Sequence, residues 1–211
     1  MSRKYFPVIE AILCSLGFMF FSYFIHDKFP KLIFSYAGLS IPAFILSRKF
    51  GSFSELLKIL GLSTIFRKPF LFVVAGILTG FLISALYLDK IGMPLIPLTF
   101  RSFILVGALI GALEELIFRG FIQGQLEKIN PVFSVLFASI SHTAYKACLF
   151  LPLLAVHRID LLFLVVWTFL GGIIFGFLKL FSKNVIPPVL SHSTFDIITY
   201  AHWISFPWWV W

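Results

Sequence analysis

Uninterrupted apolar runs constrain this chain more than any other feature. Several reach the roughly 20 residues needed to cross a bilayer, as over residues 69–88 and 160–181. Backbone polar groups in hydrocarbon must bond to one another, so such runs fold as helices or as a closed barrel. The runs are continuous rather than alternating, which selects helices. Composition agrees. Hydrophobic residues make up 60% of the 211 and charged residues only 12%, against about 25% charged in a soluble domain. Phe occurs 28 times, which suits a lipid-facing surface better than a tight aqueous core.

The expectation is an all-α, polytopic membrane bundle of about seven transmembrane helices. They run roughly over 6–25, 32–47, 69–88, 102–126, 132–156, 160–181 and 186–204, within one domain covering 1–211. Between the second and third spans, Ser54 to Leu60 reads as a short amphipathic helix on the membrane surface. No repeat, linker or low-complexity segment interrupts the chain.

The net charge of +8 would suggest nucleic acid in a soluble protein. Here the basic residues fall mostly between apolar runs, so they set topology and meet anionic headgroups, and no nucleic-acid partner is expected. Arg3, Lys4, the Arg48–Lys68 loop, Lys128, Lys179 and Lys183 share one side, and Lys28, Lys31, Lys90, Arg101 and Arg158 the other. The first set is richer. This places the N-terminus in the cytoplasm of a cell membrane, read as a prokaryotic plasma or inner membrane. The C-terminus then lies outside, with Trp203, Trp208, Trp209 and Trp211 as an interfacial anchor. Cys14 and Cys148 sit in apolar runs as small core residues. The apolar stretch after Ser2-Arg3-Lys4 is too long for a signal-peptide core and reads as a retained first helix.

Ionisable residues at membrane depth are costly and mark function by default. The fourth span carries Glu114 and Glu115 near its middle, with Arg119 four residues after Glu115. That spacing puts Glu115 and Arg119 on one helix face, where they can pair. Glu114 is turned about 100° away and has no partner within its own helix. It is thus available as a carboxylate general base. Gly107 and Gly111 form a small-residue face that another helix can approach closely. The plainer reading is that both glutamates merely hold helices together. The fifth span adds His142. The seventh adds Asn184, Pro188, His192 and Asp196 at intervals of four. His192 and Asp196 are spaced to hydrogen-bond, fixing a tautomer or stabilising an imidazolium.

Glu-Glu-x-x-x-Arg, a His in the next helix, and Asn-x-x-x-Pro-x-x-x-His-x-x-x-Asp in that order resemble the CAAX-prenyl endopeptidase and bacteriocin-processing membrane proteases, also called abortive-infection proteins. The resemblance covers roughly residues 102–200. It implies an all-helical membrane fold and an intramembrane endopeptidase that needs no cofactor. Its substrate would be a membrane-associated peptide or protein: a prenylated tail, a bacteriocin leader or a sorting-signal tail. It implies Glu114 as the water-activating base with His142 as partner, and His192 with Asp196 on the oxyanion side. Glu115, Arg119 and Asn184 support them. Two positions depart from the usual pattern. Ala138 stands where the family has Phe, with Phe137 one place earlier. Asp196 stands where Asn is common. An ionised Asp cannot donate to an oxyanion, so either Asp196 is protonated or it orients a charged His192 that donates, and the second is the favoured expectation.

Two other classes compete. Glu, His and Asp can ligate zinc, which would make a membrane metalloprotease, although His-Glu-x-x-His is absent. A transporter or non-catalytic scaffold is the other, although transporters often show internal repeats. No metal is expected, and the sequence leaves the oligomeric state open.

Overall fold

The computed structural model describes residues 6–62, 66–154 and 160–201, and among these the regular structure is entirely helical. The helices are α1 (Phe6–Phe24), α2 (Leu32–Ser47), α3 (Phe53–Ile59), α4 (Pro69–Lys90), α5 (Phe103–Glu115), α6 (Gly124–Glu127), α7 (Pro131–Phe150), α8 (Leu161–Ser182) and α9 (Ile186–Thr199). Their starts follow from local chemistry. Ser52, Asn130 and Asp160 each accept a backbone N–H from three residues on, capping α3, α7 and α8. Proline occupies the first turn of α4, α7 and α9, where its missing N–H costs nothing.

The expected fourth span is not one uniform helix. Between α5 and α6, Leu116–Gln123 winds as a π-helix, a wider form that recurs at functional sites. Within the expected fifth span, α7 ends at Phe150 and the chain tightens into a 3-10 turn at Leu151–Leu153, with Pro152 in that turn. Among the described residues, four helical stretches are long and apolar enough to cross a bilayer: Phe6–Phe24, Pro69–Lys90, Pro131–Leu153 and Leu161–Ser182. The short helix expected over Ser54 to Leu60 is α3. The Trp203–Trp211 anchor, Arg3, Lys4 and Arg158 lie outside the described residues.

Burial is inverted relative to a soluble domain. On α5, Leu105, Leu109 and Leu113 are 69%, 61% and 49% exposed, while Glu114 and Glu115 are buried. An aqueous protein would reverse that choice; hydrocarbon around the bundle explains it. This is a multi-pass membrane protein. α9 sits at the centre, packed on α4, α5 and α8, and α7 packs on α1, α8 and the π-segment. Glycine permits the closest approach. A Cβ on Gly80 of α4 would run into the Ser191 carbonyl of α9. Ser15 of α1 donates to Ser141 Oγ of α7 at 2.9 Å, one residue from His142.

Candidate active site

α5, the π-segment, α7 and α9 bring Glu114, Glu115, Arg119, His142, Lys146, His192 and Asp196 into one buried cluster. None is more than 7% exposed. Arg119 Nη1 donates to Glu115 Oε1 at 3.0 Å and to His142 Nδ1 at 2.8 Å. A guanidinium has no lone pair to offer, so Nδ1 of His142 must be the accepting nitrogen. The ring proton is then on Nε2, which donates to Glu114 Oε2 at 3.0 Å. The Phe118 ring stacks on His142 with centroids 4.6 Å apart and holds its plane. Arg119 thus sets the tautomer of the histidine that aims Glu114.

His192 departs from expectation. Its Nδ1 lies 2.9 Å from Glu115 Oε1, not on Asp196. The carboxylate accepts, so Nδ1 carries a proton. Nε2 faces Asp196 Oδ2 at 3.8 Å and Glu114 Oε2 at 3.9 Å, beyond direct hydrogen bonding. The expected His192–Asp196 bond is therefore replaced by His192–Glu115. Relative to the i,i+4 direction of α9, the imidazole is turned toward α5. Gly111 makes room for this. A Cβ there would stand 3.1 Å from the His192 ring and press into Asp196 Oδ2. Glu115 Oε1 consequently joins Arg119 and His192, tying the π-segment to α9.

Glu114 also has a cation that the helix-by-helix reading left without a role. Lys146 Nζ lies 2.8 Å from Glu114 Oε1. Lys146 follows His142 by four residues on α7, and that spacing was the available signal. Asn184 stays apart. Its Oδ1 accepts the Ile186 backbone N–H at 3.0 Å and shapes the start of α9, about 12 Å along the axis from His192 at 1.5 Å per residue.

His142, Lys146, His192 and Asp196 line a cavity of about 100 Å³, faced by Tyr87 and Trp167. Its walls come from α4, α7, α8 and α9. Glu114 borders a second, largely apolar cavity of about 210 Å³, beside Phe18 and Leu113. Its partners His142 and Lys146 line the first cavity. Among the described residues, no group of three or more His, Cys, Asp and Glu side chains is placed to hold a metal ion. The accepting atoms are instead turned toward Arg119 and Lys146.

No curated protein and no solved structure matches the chain. The family model described as type II CAAX prenyl endopeptidase Rce1-like matches residues 96–198, a stretch that contains every residue of the cluster. The family is one of membrane proteases, and it implies a membrane-associated peptide substrate. Over residues 96–198, this chain is similar to the Rce1-like type II CAAX prenyl endopeptidases, the same family that its motifs resemble.

Proposed function

We propose that this protein hydrolyses a peptide bond of a membrane-associated substrate with water activated by Glu114. One observation carries the reading. A carboxylate and two imidazoles from three helices converge, with Glu114 Oε2 3.0 Å from His142 Nε2 and 3.9 Å from His192 Nε2. Water held between Glu114 and His192 loses a proton to the Glu114 carboxylate as its oxygen attacks the peptide carbonyl. The C–O bond forms and the carbonyl electrons move onto oxygen. His192 works as an imidazolium. Nδ1–H is anchored on Glu115, so Nε2–H is free to meet the developing oxyanion, and Asp196 stands behind it. The C–N bond then breaks as the proton on Glu114 passes to the leaving amine. Glu114 returns as carboxylate, and the products are a new carboxyl and a free amine.

Charge balance supports these states. With Asp196 ionised, three carboxylates, Glu114, Glu115 and Asp196, face Arg119 and Lys146. An imidazolium at His192 cancels the remaining charge, which suits a group of ions held in low dielectric. Glu114 and His192 touch the reacting atoms. His142, Glu115 and Arg119 position them. We further infer that the N-terminus faces the cytoplasm, from the loop lysines and arginines.

The test is purified protein in lipid vesicles, given a membrane-tethered peptide in ¹⁸O-water. One ¹⁸O is expected in the new carboxyl group, with cleavage unaffected by chelators and by serine- or cysteine-directed covalent inhibitors. A trapped acyl-enzyme would assign a covalent nucleophile instead. One zinc per chain, with activity lost on its removal and restored on its return, would assign the metalloprotease mechanism.

A further inference from the structure

Four lysines from separate parts of the chain meet at one cavity of about 510 Å³ at an end of the bundle. Lys58 lies on α3, Lys128 follows α6, Lys179 lies in the last turn of α8, and Lys183 caps that helix in a left-handed conformation with φ 59°. Glu127 is the one acid among the lining residues, which leaves the cavity three positive charges in excess. Its carboxylate accepts from Lys179 and, at 2.8 Å, from Lys183. Those two ammoniums are therefore already fixed in place. Lys58 and Lys128 are exposed, and among the described residues they form no ion pair.

Lysines that only set topology need not gather in one cavity. These do, and the cavity is built. The loop after α3 is tied to the α8–α9 corner by Val185 N–H to the Gly61 carbonyl and by Arg67 N–H to the Ser182 carbonyl, each 3.0 Å. Gly120 of the π-segment packs directly against the Leu60 carbonyl. Ile59 and Phe121 add an apolar lining. Pro131, at the rim, begins α7, whose Val132, Phe133 and Leu136 are 54%, 42% and 42% exposed. A cationic cavity lined in part by the first residue of a helix with exposed apolar side chains matches an amphiphile better than a free anion.

We propose that this cavity binds the phosphate headgroup of an anionic phospholipid, with the acyl chains lying along the outer face of α7. The phosphate sits between Lys58 and Lys128 and joins α3 to the ends of α6 and α8. It thereby braces the π-segment that carries Arg119. The site is separate from the proposed chemistry and does not depend on it.

The full chain, purified and exchanged into phosphatidylcholine vesicles with or without phosphatidylglycerol, provides the test. Retained lipid is counted by native mass spectrometry, and thermal stability is followed in parallel. The wild type is expected to retain phosphatidylglycerol preferentially and to melt higher in its presence. Lys58→Gln/Lys128→Gln is expected to lose roughly thirty-fold in that preference, at about fivefold for each lysine near a membrane surface. Helical circular dichroism checks that the variant is folded. Lys28→Gln/Lys31→Gln, exposed lysines outside the cavity, is expected to behave as wild type. Equal retention of both lipids by the wild type would overturn the proposal. So would an unchanged preference in Lys58→Gln/Lys128→Gln, or an equal loss in Lys28→Gln/Lys31→Gln. Inorganic phosphate or glycerol phosphate stabilising the wild type in phosphatidylcholine as strongly as phosphatidylglycerol does would assign a soluble phosphate and overturn the lipid.

Discussion

Lys146 Nζ of α7 lies 2.8 Å from Glu114 Oε1 of α5, on the oxygen opposite the one that His142 holds. The carboxylate is thus fixed from both sides by one neighbouring helix. Breaking a buried pair by removing one partner typically costs about 3–5 kcal/mol, because the other charge is left stranded. Lys146→Met is therefore expected to lower the melting temperature and reduce cleavage. Adding Glu114→Gln to Lys146→Met should recover much of the lost stability, since neither charge remains. A thermal-melt double-mutant cycle reads the coupling. Additive losses would mean that the pair contributes nothing.

Arg119 is wholly buried and donates to both Glu115 and His142. Arg119→Ala should lower detergent melting temperature or expression, again by about 3–5 kcal/mol of stability. It should also release the His142 tautomer. ¹⁵N NMR of labelled histidine is expected to show the Nε2–H form in wild type and a mixture in the variant. A variant as stable as wild type yet inactive would move Arg119 from support into the chemistry.

Which pairs were legible in the sequence follows from which distances one helix controls. Glu115 and Arg119 sit four apart along one helical run, so their pairing follows from spacing, even with the wider π-winding beneath it. Lys146–Glu114 and His192–Glu115 join different helices. Their formation depends on how α7 and α9 are rotated about their axes, which a single sequence does not state. The same cause exchanged the expected Asp196 for Glu115 on His192 Nδ1. The π-segment left no mark, because Leu116–Gln123 contains residues that an α-helix also accepts. Helix positions were readable within a few residues, since apolar length is set by bilayer thickness.

Gly111→Ala should disturb the site through packing alone. Its methyl group would press into Asp196 and crowd the His192 ring, and overpacking of this kind typically costs about 1–3 kcal/mol. Cleavage should fall further than stability, because the atoms displaced belong to the proposed site. Gly51→Ala is the control, since it lies outside the cavities described and a Cβ there makes only an ordinary 3.5 Å contact with Glu55. Equal activity in the two variants would show that α9 tolerates a shift against α5.

Asp196 accepts no proton in the proposed cycle and lies 3.8 Å from His192 Nε2. An amide oxygen can stand in the same place. Asp196→Asn is expected to retain cleavage within several-fold of wild type, and Asp196→Ala to lose more. Steady-state kinetics on one tethered peptide makes the comparison. An inactive Asp196→Asn beside a folded melt would give Asp196 a proton-transfer role.

The central claim is that Glu114 takes the proton from water, and single-turnover cleavage by Glu114→Gln tests it most directly. The amide keeps the shape and the contact with His142 but cannot accept that proton. Purified Glu114→Gln in lipid should bind the tethered peptide with near wild-type affinity and leave it uncut over many wild-type turnover times. Cleavage at a near wild-type rate would contradict the mechanism.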